Sequence, residues 1–303
     1  MHDSNEPYRG RFAPSPTGPL HFGSLIAAVG SYLDARANDG AWLVRVEDLD
    51  PPRETEGAAD SILETLEAYG FEWDGDVMRQ SRRGPAYAAA LERLQRDGAV
   101  FPCACSRREI ADSVLSSANE PVYPGTCRNG LPPGRPIRAI RLRVSNAMVA
   151  FEDRVQGRIE QNLASDVGDF VVRRADGLFA YQLAVVVDDS EQGITDVVRG
   201  ADLLASTPRQ IFLQRLLGYR TPRYAHLPVA VDRNGEKLSK QTLAAPLVLQ
   251  GAPSQLWEAL CFLGQEPPES LKGAGVSTLW SWAHANWRIQ RVPRQRSAPA
   301  VRD

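Results

Sequence analysis

The chain has 303 residues, 43% of them hydrophobic and 24% charged, and its formal net charge is -2. This ordinary globular composition excludes a disordered or collagen-like chain, and the charge gives no sign of a generally basic nucleic-acid binder. The longest nearly apolar stretch, at 178–187, is far shorter than the roughly 20 residues that cross a bilayer, and residues 1–6 lack the basic start and apolar run of a secretory signal. We therefore expect a cytoplasmic protein without a membrane partner.

The first part of the chain alternates predicted strands and helices. Residues 8–13 have the pattern of a short strand, and a loop rich in Pro and Gly at 14–24 leads into a helix that ends near Gly40. A strand of buried type at 41–46 and a second helix at 54–69 follow. Strand, helix, strand and helix in this order predict an α/β fold with a doubly wound parallel sheet.

The pattern changes after a third predicted helix at 85–97. Cysteines, Pro and Gly turns and several arginines interrupt it between Cys103 and Arg143, which predicts an inserted subdomain. The layered pattern returns from Asp169, and beyond Pro246 two short helices precede an arginine-rich tail. We therefore predict four segments: the first half of a Rossmann-like domain at 1–102, the insert at 103–143, the second half at 144–246, and a short helical segment with a basic tail at 247–303.

The loop before the first predicted helix is a candidate anion site. His21, Gly23 and Ser24 stand where the chain enters the helix, and the unpaired N–H groups of a helix N-terminus attract phosphate. His21 offers a hydrogen bond to a phosphate oxygen, and Gly23 lets a nucleotide lie against the backbone. Taken alone, these residues fit a helix cap with a surface histidine better than they fit a nucleotide site.

The lysines are unevenly distributed. Only three of the 35 basic residues are lysines, and two of them, Lys237 and Lys240, lie in one four-residue segment behind a predicted turn. A lysine ammonium is a compact point charge that suits a phosphate whose geometry changes during a reaction. The segment therefore predicts a phosphate-binding loop in preference to an ordinary solvated basic loop.

Five motifs follow one another along the chain, at 11–18 (RFAPSPTG), 21–24 (HFGS), 45–50 (RVEDLD), 198–204 (VRGADLL) and 237–240 (KLSK). In this order they resemble the catalytic core of the class I glutamyl-tRNA synthetases. The resemblance implies the class I Rossmann-like fold and attack of the α-carboxylate of L-glutamate on the α-phosphate of ATP, with Mg²⁺, to give glutamyl-adenylate and pyrophosphate. Two positions depart from the family: Ser24 replaces a second histidine, and Gln241 stands where Ser or Arg is commoner.

The resemblance also implies roles for individual residues. The catalytic residues would be His21, Lys237 and Lys240. ATP would be bound by His21, Gly23, Ser24 and Lys240. Glutamate would be bound by Arg11, Phe12, Ala13, Pro14, Ser15, Glu47, Tyr181 and Arg199. Two arginines and one carboxylate suit the two carboxylates and one ammonium of glutamate, and an arginine that faces the side-chain carboxylate would reject glutamine. Without the family, an Arg45–Glu47 strand pair and surface arginines explain these residues singly.

Three of the four cysteines, Cys103, Cys105 and Cys127, lie in or at the edge of the predicted insert, and Cys261 lies far downstream. Disulfides are not expected in a cytoplasmic chain, and the spacing alone fits zinc and reduced buried thiols equally well. The resembled family completes a zinc site with a tyrosine, which implies Tyr123 as the fourth ligand. The zinc ion would be structural and would hold an insert that has little core of its own.

Two charged clusters leave alternatives open. The five arginines between 128 and 143 fit contacts with RNA phosphate, and solvated strand faces explain them nearly as well. The pair Asp188–Asp189 fits a metal or RNA contact less well than an acidic pair at the end of a helix. Neither cluster is decisive for function.

The region behind the lysine segment bears on the acceptor. Glutamyl-tRNA synthetases carry a helical domain and an anticodon-binding region there, whereas only the 62 residues from 242 to 303 follow here. The sequence therefore resembles the truncated branch of the family, the glutamyl-Q tRNA(Asp) synthetases, which attach glutamate to queuosine in the anticodon of tRNA(Asp). This implies L-glutamate, ATP and queuosine-containing tRNA(Asp) as partners, and we expect a monomer. The alternatives are a minimal glutamyl-tRNA synthetase that acts at the tRNA 3′ end and a non-catalytic zinc- and RNA-binding relative.

Overall fold

A strand–helix repeat forms the first third of the fold. The computed structural model describes residues 6–112, 122–144, 148–232, 235–238 and 245–300. The repeat consists of β1 (Arg9–Phe12), α1 (Phe22–Arg36), β2 (Ala41–Val46), α2 (Ala58–Ala68), β3 (Met78–Arg79) and α3 (Gly84–Arg96). The strands are parallel in the order β1–β2–β3, which confirms the predicted alternation. The second helix begins at Ala58, later than predicted, because Gly57 at the N-cap has a φ of 75°, in the left-handed region.

The insert and the second half follow in chain order. β4 (Val100–Cys103) leads into the insert, which contributes α4 (Arg107–Asp112) and β5 (Ala139–Leu142). The second half contains β6 (Met148–Asp153), β7 (Gly157–Asn162), α5 (Leu163–Asp166), β8 (Val171–Arg173), α6 (Tyr181–Glu191), β9 (Asp196–Gly200), α7 (Thr207–Leu216), β10 (Arg223–Leu227) and β11 (Val229–Val231).

The sheets are mixed, so the prediction of a doubly wound parallel sheet is correct only in part. In the order β7–β6–β10–β9, β10 is parallel to both neighbours, but β6 and β7 form an antiparallel hairpin. The carboxylate of Asp153 accepts hydrogen bonds from the backbone N–H groups of Val155 and Gln156 at 3.0 and 2.8 Å and thereby stabilises the hairpin turn. The strands β4, β5 and β8 form a second antiparallel sheet, which ties the insert to 171–173.

The C-terminal segment packs against the first part of the fold. It forms α8 (Ala252–Phe262), α9 (Val276–Asn286) and β12 (Ser297–Pro299), which pairs with β11. The indole N–H of Trp280 donates to the carbonyl of Tyr69 at 2.8 Å, and the tryptophans of this segment belong to the same hydrophobic core as α1. No helix in the described part of the chain is long and apolar enough to span a membrane.

The chain changes direction across the sheet between β1 and β9. The backbone N–H of Thr195, just before β9, donates to the carbonyl of Arg9 at 3.0 Å, so the two strands start side by side. β2 and β3 extend the sheet that contains β1, while β9 and β10 belong to the other sheet, which this hydrogen bond joins to it. Ligands of α/β sheets bind beyond the carboxyl ends of the strands at such a switch point.

Candidate active site

A cavity of about 540 Å³ opens at the carboxyl ends of β1, β9 and β10. The structure brings together around it residues that the sequence predicted from five separate motifs, and Tyr181 from outside them. They are Arg11, Phe12, Ala13, Pro14, Ser15, His21, Gly23, Ser24, Glu47, Tyr181, Arg199 and Lys237. Lys240 and Gln241 lie outside the described residues.

The sequence analysis assigned no role to several other wall residues. Among them are Gly200, the last residue of β9, Asp202 just behind it, and the segment 227–230, where β10 ends and β11 begins. Only their position could have indicated a role, since each lies at or near a predicted or possible strand end, where a doubly wound fold binds its ligand. The residue types themselves are small or aliphatic, apart from Asp202, and carry no chemical signature.

One end of the cavity rests on a buried network of arginines and carboxylates. Arg11, only 3% exposed, donates to Asp189 through Nε at 3.1 Å and Nη2 at 3.3 Å. Arg45 contacts the same carboxylate at 2.8 Å and Glu47 at 3.4 Å, so the Arg45–Glu47 strand pair does exist. Asp189 therefore joins β1 and β2 to α6 beneath the cavity floor.

The two carboxyls of this network have opposite pKa shifts. Burial alone would raise the pKa of Asp189, but the charges of Arg11 and Arg45 outweigh burial and lower it. Burial raises the pKa of Glu47, and the charges of Arg45 and Arg11 offset this only in part. A cation bound beside Glu47 would therefore stabilise its ionised form.

The acidic pair on α6 is buried and makes several hydrogen bonds, which its sequence did not predict. Asp188 and Asp189 lie in the last turns of the helix, as the helix-end interpretation has it, but both are buried. Asp188 accepts from Gln80 at 2.8 Å, from the Tyr87 hydroxyl at 2.7 Å and from Arg83 at 3.2 Å. The pair thus anchors α6 to β1, β2 and α3.

Arg199 also lines the cavity and is 5% exposed. Its Nη2 donates to Thr207 Oγ1 and Gln210 Oε1, both at 2.8 Å, and its Nη1 to the Tyr181 hydroxyl at 3.4 Å. Its Nε donates to Nε2 of His226 at 3.1 Å. All these partners are neutral, in contrast to the carboxylate that holds Arg11.

His226 and Asp153 were missed by the sequence analysis. Nδ1 of His226 lies 2.6 Å from Oδ2 of Asp153, and both side chains are fully buried. Burial lowers the pKa of His226 to about 4, and the nearby charge of Arg199 acts in the same direction, although the bond to Asp153 opposes it. The ring is therefore neutral near pH 7.

The other end of the cavity is formed by the two phosphate motifs. An ideal Cβ at Gly23 would lie 3.1 Å from the carbonyl oxygen of Leu238, so glycine lets the lysine segment approach the start of α1. His21 occupies the N-cap position of α1 with extended backbone. Nζ of Lys237 pairs with Asp202 at 2.7 Å, and these side chains are 46% and 35% exposed.

The three cysteines of the insert and Tyr123 form a compact cluster. The Sγ atoms of Cys103, Cys105 and Cys127 all lie within 4.8 Å of one another. The Sγ atoms of Cys105 and Cys127 are 3.7 Å apart, and the Tyr123 hydroxyl lies 3.4 Å from Cys103 and 3.7 Å from Cys105. Arg141, which is 8% exposed, donates to Cys103 Sγ at 3.3 Å and covers the Tyr123 ring.

Three cysteines at this spacing could bind a metal ion. In a tetrahedral zinc site, bonds of about 2.3 Å to sulfur and about 2.0 Å to oxygen separate two sulfur ligands by about 3.8 Å and a sulfur from an oxygen by about 3.5 Å. The Cys105–Cys127 separation and the distances from Tyr123 to Cys103 and Cys105 are close to these values, and the Sγ of Cys103 lies within 4.8 Å of the other two. Burial alone would raise the pKa of the Cys103 thiol, but its hydrogen bonds with Tyr123, the Cys105 backbone and Arg141 outweigh burial and lower it, whereas burial raises the pKa of the Cys105 thiol and of the Tyr123 hydroxyl.

The arginines between 128 and 143 are largely held by the protein. Arg128 pairs with Asp169 at 2.5 Å, and Arg135 pairs with Glu109 at 2.6 Å. Arg143 donates to the carbonyl of residue 128 at 2.7 Å. Neither the RNA interpretation nor the solvated-strand interpretation foresaw these internal partners.

Comparison with known proteins gives the family. The sequence profile described as "tRNA synthetases class I (E and Q), catalytic domain" matches residues 8–250. The chain is 64% identical over 293 residues to the glutamyl-Q tRNA(Asp) synthetase of Dechloromonas aromatica (strain RCB), covering 96% of this chain and 97% of that protein. It is 55% identical over 295 residues to the protein of the same name from Pseudomonas aeruginosa (strain LESB58), covering 97% and 98%.

The fold agrees with these relatives. The glutamate-tRNA synthetase of Elizabethkingia anophelis superposes with a TM-score of 0.79 at 24% identity, over 96% of this chain and 67% of that chain. A solved structure described as a putative arginyl tRNA synthetase from Campylobacter jejuni gives a TM-score of 0.51 at 15% identity. The chain is therefore an enzyme of the class I tRNA synthetase family (E and Q), in the group of proteins named glutamyl-Q tRNA(Asp) synthetase.

Proposed function

We propose that this enzyme activates L-glutamate with ATP and transfers the glutamyl group to the queuosine base in the anticodon of tRNA(Asp). In the first step the α-carboxylate of glutamate attacks the α-phosphorus of ATP, the bond to the bridging oxygen breaks, and pyrophosphate leaves. In the second step a hydroxyl of the queuosine cyclopentenediol attacks the carbonyl carbon of the adenylate, loses its proton to water, and AMP leaves.

The main support for glutamate as the amino acid is the charge complementarity at one end of the cavity. Three arginines and two carboxylates meet there, which leaves one net positive charge when both acids are ionised: Arg11, Arg45, Arg199, Glu47 and Asp189. Glutamate carries one net negative charge, whereas glutamine carries none. A buried, uncompensated guanidinium favours the charged ligand because its interactions are strong in a low dielectric.

The contacts of each side chain suggest its partner on glutamate. Arg199 is held by neutral groups only, so we assign the side-chain carboxylate to it. Glu47 suits the α-ammonium, because a bound cation offsets the burial that raises its pKa. Arg11 and Arg45 share the carboxylate of Asp189, and we assign the substrate α-carboxylate to Arg11, which would position it for attack.

The phosphate motifs form the nucleotide end. We assign the ATP phosphates to His21 and to the segment that carries Lys237 and Lys240, and the nucleotide backbone contact to Gly23 and Ser24. Positive side chains aimed at the α-phosphate stabilise the charge that develops there when the carboxylate attacks. Mg²⁺ would accompany ATP and neutralise its remaining phosphates.

Glutamate-dependent exchange of labelled pyrophosphate into ATP tests the first step without any RNA. We expect exchange with glutamate and at least about 1,000-fold lower kcat/KM with glutamine, because the amide leaves a buried charge unpaired. Aspartate, which has the charge but lacks one methylene, serves as the matched control for fit. Equal exchange with glutamate and glutamine would contradict the assignment of the amino-acid end.

Labelled glutamate tests the acceptor, for which the names of the relatives are the support. We expect transfer to tRNA(Asp) from cells that make queuosine, persisting after the 3′ end is trimmed, and little transfer to tRNA(Asp) from cells that cannot make it. All RNAs are compared at one salt concentration, since phosphate contacts make affinity depend on salt. Efficient labelling of tRNA(Glu) at its 3′ end would favour a minimal glutamyl-tRNA synthetase, and no exchange at all would favour a non-catalytic relative.

We also propose one structural zinc ion in the cluster of Cys103, Cys105, Cys127 and Tyr123. Elemental analysis is expected to find about one equivalent, and Cys105→Ser to lose it because a hydroxyl is a poor substitute for a thiolate. Cys261→Ser, which changes a cysteine outside the cluster, is expected to keep the metal. Metal-free wild-type protein of undiminished stability would refute the proposal.

A further inference from the structure

The guanidinium of Arg199 is supported by two buried residues behind the cavity wall. Nε of Arg199 donates to Nε2 of His226, and Nδ1 of His226 contacts Oδ2 of Asp153. The three residues come from neighbouring parallel strands, since β10 pairs with β9 on one side and with β6 on the other. This sheet geometry places a carboxylate, an imidazole and a guanidinium in a row.

The hydrogen bonds fix the tautomer of His226. A guanidinium N–H can only donate, so Nε2 accepts and carries no proton. The proton of the neutral ring is therefore on Nδ1 and is donated to Asp153 over 2.6 Å. Thr207 Oγ1 also lies 3.1 Å from Nε2 and accepts a hydrogen bond from Arg199 Nη2, so the same hydroxyl contacts both the imidazole and the guanidinium.

The two oxygens of Asp153 have separate tasks. Oδ1 accepts three backbone N–H groups, from Val155 at 3.0 Å, Gln156 at 2.8 Å and His226 at 3.1 Å. Oδ2 is the atom that faces the imidazole. Because the backbone donors fix Oδ1, an amide in place of this carboxyl has to turn its NH₂ group toward the ring.

We propose that Asp153 and His226 are positioning residues for glutamate specificity: they orient Arg199 without neutralising it, so that its charge and its Nη1 donors face the side-chain carboxylate of the substrate. The inference rests on the proposed function, in which Arg199 binds that carboxylate. A carboxylate in direct contact with Arg199 would neutralise part of the charge offered to the substrate side chain, as Asp189 neutralises part of the charge of Arg11. A neutral imidazole holds the guanidinium plane and keeps the negative charge of Asp153 one ring away.

Asp153→Asn is the sharpest variant because it changes no volume. The amide NH₂ donates to Nδ1, which forces the ring proton onto Nε2, where it opposes the Nε–H of Arg199. We expect the KM for glutamate in pyrophosphate exchange to rise about 10- to 100-fold, with a smaller change in kcat, because a hydrogen bond to a charged group is lost. The preference for glutamate over glutamine should fall by a similar factor, while the KM for ATP stays close to the wild-type value.

A second pair of variants separates positioning from packing. His226→Phe keeps the ring and removes both hydrogen bonds, whereas His226→Gln places an amide oxygen where Nε2 accepts from Arg199. We expect His226→Phe to resemble Asp153→Asn and His226→Gln to recover part of the wild-type KM and selectivity. His284→Gln, at an exposed position on α9 outside the cavity wall, is the matched control and should behave as wild type.

NMR of isotope-labelled histidine rings supplies a readout that simple loss of packing does not change. The wild-type spectrum should show His226 protonated at Nδ1, and Asp153→Asn should move that proton to Nε2; His226→Phe identifies the signal. Wild-type KM and selectivity in Asp153→Asn, or a raised KM without a change of tautomer, would overturn the proposal. Absence of glutamate-dependent exchange in the wild-type enzyme would instead contradict the proposed function.

Discussion

The two ends of the cavity differ in how their charges are held. At the amino-acid end, Arg11 and Arg199 are almost fully buried, and their guanidinium groups donate hydrogen bonds to Asp189 and to His226, respectively. At the nucleotide end, the pair between Lys237 and Asp202 is about half exposed to solvent, and Lys240 belongs to the part of the chain outside the described residues. The first end is preformed within the sheet, and the second is assembled from loops at its edge.

This difference matches the two chemical tasks. Choosing glutamate over glutamine depends on one charge, and a charge is best discriminated by a buried, fixed counter-charge in a low dielectric. Stabilising phosphates needs positive charge near several oxygens, which exposed side chains supply in spite of solvent screening. We therefore expect variants at the amino-acid end to alter specificity and variants at the nucleotide end to alter rate.

Removal of Arg199 should have the largest effect. Arg199→Met keeps much of the side-chain length but removes the guanidinium, and we expect kcat/KM for glutamate to fall at least about 1,000-fold because the substrate carboxylate loses its buried partner. The KM for ATP should change little. Arg215→Met, at an exposed position on α7, is the control. Near-wild-type glutamate kinetics in Arg199→Met would show that another residue reads the side chain.

Lys240→Ala tests the nucleotide end. We expect adenylate formation to fall by about 100-fold, because one charge aimed at the developing phosphate charge is lost, with the KM for glutamate nearly unchanged. Lys237→Ala should have a smaller effect, since its ammonium is already paired with Asp202. The third lysine, Lys272, lies over the ring of Trp257, and Lys272→Ala is the control. Exchange activity close to wild type in folded Lys240→Ala would refute the role.

The contrast between the ends also marks what the sequence could predict. Many of the residues that touch the cavity lie at the carboxyl end of a strand, as Arg11 and Arg199 do, or at a helix start, as His21 does, so their assembly followed from the parallel topology. The strand–helix periodicity likewise predicted the first half of the fold. The antiparallel hairpin β6–β7 was missed although Gly157, which follows its turn with a φ of 78°, is a turn signal; the Asp153 carboxylate that stabilises the turn gave no signal of its own.

The supporting residues behind the cavity left no local signal. Asp153 and His226 are 73 residues apart, and Arg11 and Asp189 are 178 apart, so only the sheet brings each pair together. A single histidine in a buried strand is as compatible with ordinary core packing as with a positioning role. Such partners are found from the three-dimensional structure because long-range pairing leaves no periodic pattern in the sequence.

The pH dependence of stability should reveal the buried histidine at the amino-acid end. The pKa of His226 is about 4 in the folded protein, lowered mainly by burial and also by Arg199, while Asp153 and Asp202 act in the opposite direction. In the unfolded chain the pKa of this histidine has its ordinary value of about 6.5, so between pH 6.5 and 4 the unfolded state binds a proton that the folded state does not bind. This contribution is complete above pH 6.5 and is lost as the pH falls toward 4, by up to about 1.4 kcal/mol per pH unit.

Urea unfolding at several pH values between 7 and 4 measures this slope. His226→Gln carries no titrating ring, so its free energy of unfolding should fall less steeply on acidification than that of the wild type. The His284→Gln variant keeps His226; because burial and the charge of Arg36 also lower the pKa of His284, it should flatten the curve somewhat, but less than His226→Gln does. Parallel curves for wild type and His226→Gln would show that His226 titrates normally in the folded protein.

The smallest effect is expected for Asp202→Asn at the nucleotide end, which makes the same chemical change there as Asp153→Asn makes at the amino-acid end. The pair with Lys237 is exposed, and such pairs contribute about 1 kcal/mol or less. We therefore expect the free energy of unfolding to change by less than about 1 kcal/mol and the KM for ATP to change by less than about fivefold. The difference from wild type should shrink further at high salt, which screens exposed charges but not buried ones. Specificity for glutamate should remain unchanged. If Asp202→Asn instead reduced glutamate selectivity as strongly as Asp153→Asn, the two ends of the cavity would not be separable, and the division of specificity from rate between them would be wrong.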